Sequence, residues 1–299
     1  HHVVHSFPTR RSSDLVDLMV IGKFVGSIGT VGVSTGGEIA DILTPAAMAL
    51  AAAGQIYIAQ LTGAGDKKRT RETVGTLLTV MLGIAVVFSV LIQLLCPYLL
   101  DLLNCPQEAM SEAIAYLRIT AFGIPFIFGY NGVCGVLRGM GESKKPLLFI
   151  LIAATVNIFL DLLLVAVFHM GTAGTAIATV LAQIGACVAA FVYLYLEKEQ
   201  FGFEWKLSYF RIRKEAAVIL LRLAVPRIFQ SCCIRFSLLW CNSNINSYGM
   251  TASATNSIGN KLQKISTTVL TAIDTGSGAM IGQNMGAKKT DRVKKIVLS

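Results

Sequence analysis

The sequence has 299 residues, of which 54% are hydrophobic and only 14% charged, with a mean hydropathy of +0.64. Soluble domains carry about 25% charged residues, so a composition this apolar excludes an ordinary soluble domain. The net charge of +9 comes without any basic patch interleaved with aromatic residues, which excludes nucleic acid as the partner.

Residues 1–15 (HHVVHSFPTRRSSDL) have no helical period and hold three of the four histidines. They read as a non-native segment, and the chain reads as a fragment that also stops early in a further helix. A spanning helix needs about 20 apolar residues. Runs of that kind predict helix 1 (its tail) at 16–26, helix 2 at 30–62, helix 3 at 72–100 and helix 4 at 111–138. Helix 5 follows at 146–168, helix 6 at 172–197, helix 7 at 215–245 and helix 8 at 250–285. Pro45, Pro97, Pro125 and Pro226 fall within these runs or near their ends, where a missing N–H invites a bend. The segment 198–214 is polar and aromatic, with Trp205 and Tyr209 suited to headgroup depth.

The connections alternate in charge. Lys67, Lys68, Arg69 and Arg71 fall in one, Arg138, Lys144 and Lys145 in the next but one. Lys198, Lys206, Arg211, Arg213 and Lys214 form the third basic connection, and Lys288, Lys289, Arg292, Lys294 and Lys295 the fourth. The intervening connections hold only Lys23. Basic residues stay on the cytoplasmic side, so this pattern predicts a multi-pass protein of the plasma (inner) membrane with its basic loops cytoplasmic. The seven cysteines show no metal-ligand spacing and read as small packing residues.

Sliding the chain by 223 residues lays 17–76 on 240–299. Ile58-Ala59-Gln60-Leu61-Thr62-Gly63-Ala64 then falls on Ile281-Gly282-Gln283-Asn284-Met285-Gly286-Ala287. Six helices separate the copies, and an even number makes the repeats parallel, related by an axis along the membrane normal.

An acid within a bilayer is expensive, and its default reading is functional. Asp161 is the sharpest case. Asn157 lies four residues before it on the same helix face, where its amide can hydrogen-bond the carboxyl. The alternative is a structural aspartate near a helix end. Glu38 and Asp41 share a face of helix 2, and their repeat mates are Lys261 and Lys264. These four residues suggest an ionic gate between two lobes; the alternative is that each faces an aqueous cleft independently. Helix 7 carries Arg222, Arg227 and Arg235 but no acid from Ala216 to Asn246. Asp274 on helix 8 is a further cleft candidate. Phe126, Phe128, Tyr130 and Asn131 on helix 4 could meet a flat cation by stacking and cation–π contact, or could simply pack helices. Gly63, Gly139, Gly141 and Gly286 read as helix ends.

Several runs resemble the multidrug and toxic compound extrusion (MATE) transporters. They are Val16-Asp17-Leu18-Met19-Val20-Ile21-Gly22-Lys23, Gln60-x-x-Gly63-Ala64-Gly65-Asp66, and Leu137-Arg138-Gly139-Met140-Gly141-Glu142-Ser143. Asn157-x-x-x-Asp161 and Gly174-Thr175-Ala176-x-Ala178-Thr179 complete the set. The resemblance implies an all-α polytopic membrane protein with a two-lobe parallel-repeat fold. Residues 16–197 would be the N-lobe of six helices, 198–214 a cytoplasmic linker, and 215–299 the first two helices of the C-lobe with the onset of a ninth. It implies a secondary antiporter, not an enzyme, exporting small organic and often cationic compounds in exchange for protons or sodium. It also implies a coupling site of Asp161 and Asp17. The missing acid on helix 7 departs from sodium-coupled relatives and points to protons. No cofactor beyond the coupling ion and no metal are expected, and the protein is expected to be monomeric in the bilayer. The competing reading is a lipid-linked oligosaccharide or lipid flippase of the same architecture. Such a protein calls for a strongly cationic cleft; the acids of the N-lobe cleft favour cation export, while Lys261, Lys264, Arg227 and Arg235 speak for the flippase. An intramembrane enzyme would need a nucleophile or metal set at depth, and no histidine pair, Ser–Lys pair or DxD occurs there; a non-transporting scaffold would leave Asp161 in an apolar helix without an explanation.

Overall fold

The computed structural model describes residues 19–198, 207–246, 248 and 250–298, and every element among them is helical. Helix α1 is described from residue 19 to 24. Helices α2 (Ser27–Gly63), α3 (Lys67–Leu102), α4 (Gln107–Gly139) and α5 (Lys144–Asp161) follow. A π-helical stretch, Leu162–Val167, continues α5. Then come α6 (Gly171–Leu196), a 3₁₀ turn at Leu207–Phe210, α7 (Lys214–Asn246), α8 (Met250–Gly286) and α9 (Thr290–Leu298). Six of these are long and apolar enough to cross a bilayer: α2, α3, α4, α5 with its π-helical extension, α6 and α7. Segment 1–15 and residues 199–206 of the linker, Trp205 among them, lie outside the described residues.

Helices α2, α3, α4 and α7 extend a few residues beyond the apolar runs, and α3 shows how a polar residue sets such a start. Asp66 accepts a hydrogen bond from the Arg69 N–H at 3.0 Å, capping α3. The cap satisfies one of the four N–H groups a helix start leaves unpaired. Lys67, Lys68, Arg69 and Arg71 therefore belong to the first turns of α3 rather than to a loop. Helix 5, expected to run unbroken to 168, instead changes its hydrogen-bonding period directly after Asp161. π-Helical insertions of this kind are rare and frequently mark functional sites.

Helix α2 is the axis of the molecule, packed against α3, α4, α7 and α8. Small residues bring its neighbours close. A Cβ on Gly135 would lie 2.5 Å from the Ala51 carbonyl oxygen, one on Gly32 2.9 Å from Glu112 Cβ, and one on Gly36 2.8 Å from Tyr116 Cδ1. Phe128, Leu77, Met81, Leu117, Val133 and Leu137 fill the main core between α2, α3 and α4. A second cluster joins Val20 and Ile21 of α1 to Val33, Tyr116, Val165 and Ala176. Helix α5 packs chiefly on α6, with a lighter contact to α4 at its start. Pro146, Phe149, Asn157 and Asp161 are buried, while Leu148, Leu151, Ile152, Val156 and Phe159 are exposed. That division suits a helix with one protein face and one lipid face.

The chain entering α7 is pinned to α3. A Cβ on Gly75 would lie 2.0 Å from the Tyr209 carbonyl oxygen. Thr79 Oγ1 donates to the Phe210 carbonyl at 2.8 Å, and the Arg213 N–H donates to Thr76 Oγ1 at 3.1 Å. Arg213 also pairs with Glu72 at 3.2 Å.

Candidate functional site

Asp161 is fully buried and Asn157 nearly so, both on the protein face of α5. The expected hydrogen bond within this pair is not made: Asn157 Nδ2 donates across to Thr179 Oγ1 of α6 at 3.5 Å. The i,i+4 spacing put the two side chains on one face, but the neighbouring helix supplies the nearer acceptor. Ile21 of α1, Tyr116 of α4, Ala176 of α6 and Val165, one turn beyond Asp161, pack together as an apolar cluster. Asp17 lies outside the described residues.

Helix α6, packed against α5, contributes hydroxyls here. Thr172 and Thr175 are buried, and Thr179 is partly so. Thr172 Oγ1 donates to a carboxylate oxygen of Glu112 on α4. Glu112 was not among the residues singled out from sequence. It sits near a helix start, where an acidic residue reads as a solvated one.

The remaining candidates are dispersed. Asp274 is exposed and forms an ion pair with Arg227 of α7. Tyr130 donates its hydroxyl to the Pro146 carbonyl at 2.9 Å, and Asn131 donates to Ile127 of its own helix at 2.8 Å. Phe126 is partly buried on α4. Glu38 is exposed on α2; the side chains of Asp41, Lys261 and Lys264 lie outside the described ones. No group of three or more histidine, cysteine, aspartate or glutamate side chains suited to a metal occurs among the described residues.

The glycines read as helix ends do more than end helices. Where α2 and α8 cross at the basic-loop end, a Cβ on Gly63 would lie 2.0 Å from the Gln283 carbonyl oxygen. A Cβ on Gly286 would lie 1.9 Å from the Gln60 carbonyl oxygen. Gln60 and Gly63 are the repeat mates of Gln283 and Gly286, so each copy of the motif grips the other in the same way. Such reciprocity is what a two-fold contact requires. Polar side chains reinforce the crossing. Arg138 Nε donates to Gln55 Oε1 at 3.0 Å, Gln55 Nε2 to the Thr275 carbonyl at 2.7 Å, and Gln283 Nε2 to the Gly139 carbonyl at 3.1 Å. Farther along the same helices, Gly37 and Gly259 have open space beside them.

The MatE family model matches residues 9–163 and 226–299. YoeA of Bacillus subtilis (strain 168), named a probable multidrug resistance protein, is 29% identical over 290 residues, 95% of this chain and 62% of YoeA. YpnP of the same organism, named likewise, is 30% identical over 288 residues, 94% of this chain and 62% of YpnP. The chain thus spans about three fifths of the length of these relatives. Among solved structures, a MATE protein in a bent conformation superposes with a TM-score of 0.91 at 19% identity, covering 99% of this chain and 66% of that one. The two lines of likeness agree with the helical packing and the repeat, and the chain belongs to the MatE family of multidrug and toxic compound extrusion transporters.

Proposed function

We propose that this protein is a secondary antiporter that exports small organic, often cationic compounds by alternating access, with Asp161 as the coupling acid. The observation that carries this reading is a fully buried carboxylate on the only protein-facing stripe of α5, at the junction with a π-helical stretch. A buried acid in a membrane helix is costly and is retained where it binds an ion. Asn157, one turn before Asp161, donates to Thr179, and Asp17, placed by sequence on helix 1, is the second carboxyl. Two carboxyls at close range share a proton readily, since like charges disfavour double ionisation. The absence of an acid between Ala216 and Asn246 favours protons over sodium. Basic loops facing the cytoplasm of a plasma membrane, and a monomer, complete the proposal. The α2–α8 crossing then closes the cytoplasmic end, and transport requires it to part.

The test is ethidium efflux from vesicles containing the protein expressed from its complete coding sequence. Efflux driven by an imposed pH gradient, and abolished in Asp161→Asn, is expected. Full proton-driven efflux in that variant would refute Asp161 as the coupling acid.

A further inference from the structure

Resting on the reading of Asp161 as the coupling acid, we propose that Glu112 is its outer proton port, connected to it by a row of threonine hydroxyls on α6. Four observations carry this. Glu112 lies at the end of the molecule opposite the basic loops, early in α4, and accepts a hydrogen bond from Thr172 in the first turn of α6. Glycine at position 32 lets α2 come so close that a Cβ there would lie 2.9 Å from Glu112 Cβ, which crowds the stem of Glu112 on the α2 side while its carboxylate bonds to α6. Thr172, Thr175 and Thr179 recur at helical spacing on one face of α6, about 4.5 and 6 Å apart along the axis. Thr175 Oγ1 is buried and has no hydrogen-bond partner among the described residues. A buried hydroxyl left unpaired costs free energy, and each such group calls for an explanation.

The register of the antiparallel pair α5–α6 locates that hydroxyl. Asn157 meets Thr179, and Leu164 meets Gly174. Asp161, midway between Asn157 and Val165, is therefore level with Thr175 and Ala176, and Val165 shares a cluster with Ala176. The row is hydrogen-bonded at its two ends, Thr172 to Glu112 and Asn157 to Thr179; Thr175, level with Asp161, bonds to neither neighbour directly, so water must bridge the steps on either side of it.

The transfer balances in protons. Protonated Glu112 gives its proton to the row, each hydroxyl or intervening water accepts one proton and passes on its own, and the Asp161 carboxylate takes up the last. Glu112 is left as a carboxylate and is reprotonated from the outer medium. Charged neighbours are few. Helix α6 carries none from Gly171 to Leu196, and His169 precedes it by two residues; α2 carries only Glu38 and Asp41, Glu108 and Arg118 flank Glu112 on α4, and Lys23 lies near the end of α1.

The experiment uses the full-length protein in vesicles and compares Glu112→Ala, Thr175→Val and Asp161→Asn in pH-driven ethidium efflux, with and without millimolar formate as a mobile proton carrier. Glu112→Ala is expected to lower the maximal rate by about 10²-fold, the usual scale of a lost proton-transfer group. Its KM for ethidium stays unchanged, and formate restores the rate. Thr175→Val slows efflux at unchanged thermal stability, and Asp161→Asn is inactive with or without formate. A Glu112→Ala variant with normal rates, or a slow one that formate leaves slow while its melting temperature falls, would show that Glu112 merely ties α4 to α6. Both results leave Asp161 standing as the coupling acid. Proton-driven efflux in Asp161→Asn would instead remove the acceptor, and the relay with it.

Discussion

The α2–α8 crossing makes a quantitative prediction about access. Replacing Gly63 with alanine places a Cβ 2.0 Å from the Gln283 carbonyl oxygen, whereas ordinary contact begins at 3.4 Å, so the helices must part by about 1.4 Å. Gly63 and the Gln283 carbonyl are backbone features of two helices, and no side-chain rotation relieves the overlap. A gap of 0.5–1 Å already forfeits roughly a quarter to a half of each dispersion contact, and overpacking of this kind costs about 1–3 kcal/mol. Applied to a two-state equilibrium, that is a shift of about 5- to 150-fold away from the closed crossing. Gly286→Ala acts identically by symmetry. Once one methyl has separated the helices, the second meets less resistance, so the double variant costs less than the sum of the singles. Spin labels at Lys68 and Lys289 report the distance across this end. Each single variant adds a longer-distance population, while Gly83→Ala on α3, with open space beside it, does not. Unchanged distances and unchanged melting temperature in both Gly63→Ala and Gly286→Ala would refute the argument.

Other consequences are simpler. Gly75→Ala drives a Cβ into the Tyr209 carbonyl, and Thr79→Val removes the donor to Phe210, at about 1 kcal/mol for the lost hydrogen bond; both raise the rate of tryptic cleavage at Arg211 and Arg213. Arg227→Ala breaks an ion pair whose side chains are 38% and 60% exposed, and solvent screening limits its effect on thermal unfolding to less than about 1 kcal/mol. A melting temperature lowered by many degrees would contradict that. If Glu38 and Lys261 face each other across a gate, as their places in the repeat suggest, then transport lost in Glu38→Lys or Lys261→Glu returns in the double variant. Failure to return removes the gate. Buried Cys105, outside the spanning helices, has its thiol pushed up by burial, with a hydrogen bond from Thr35 opposing the shift. Its alkylation therefore stays slow at neutral pH and accelerates only in alkaline solution, which mass spectrometry follows directly.

Much was legible in the residue string because a bilayer is nearly a one-dimensional constraint. Backbone polar groups in lipid must be satisfied within the segment, so each crossing announces itself as a long apolar helix. Lys and Arg are too costly to translocate freely, so they mark alternate ends. Asp161 was visible for the same reason: a carboxyl in Leu- and Ile-rich sequence has no inexpensive explanation. The repeat, too, is a property of the string, and it correctly paired Gln60 and Gly63 with Gln283 and Gly286.

What the string could not disclose depends on which helix faces meet. Asn157 had Asp161 at helical spacing, yet only the approach of α6 decided that its amide goes to Thr179. Tyr130 reads equally as a cleft aromatic or as a packing residue, and only the approach of α5 decides that its hydroxyl goes to the Pro146 carbonyl. Glu112 looked like a solvated residue near a helix start, and Thr175 like a small residue in a GTAxAT run. Their meaning comes from α4 and α6 lying side by side, 60 residues apart in the chain at Glu112 and Thr172. The glycines ending α2 and α8 carry no sign of a partner, because a missing side chain matters only where another backbone fills the space. Hydropathy and charge are local sums over consecutive residues, whereas the site around Asp161 and the crossing are contacts between residues far apart, and only the packed helices bring those together.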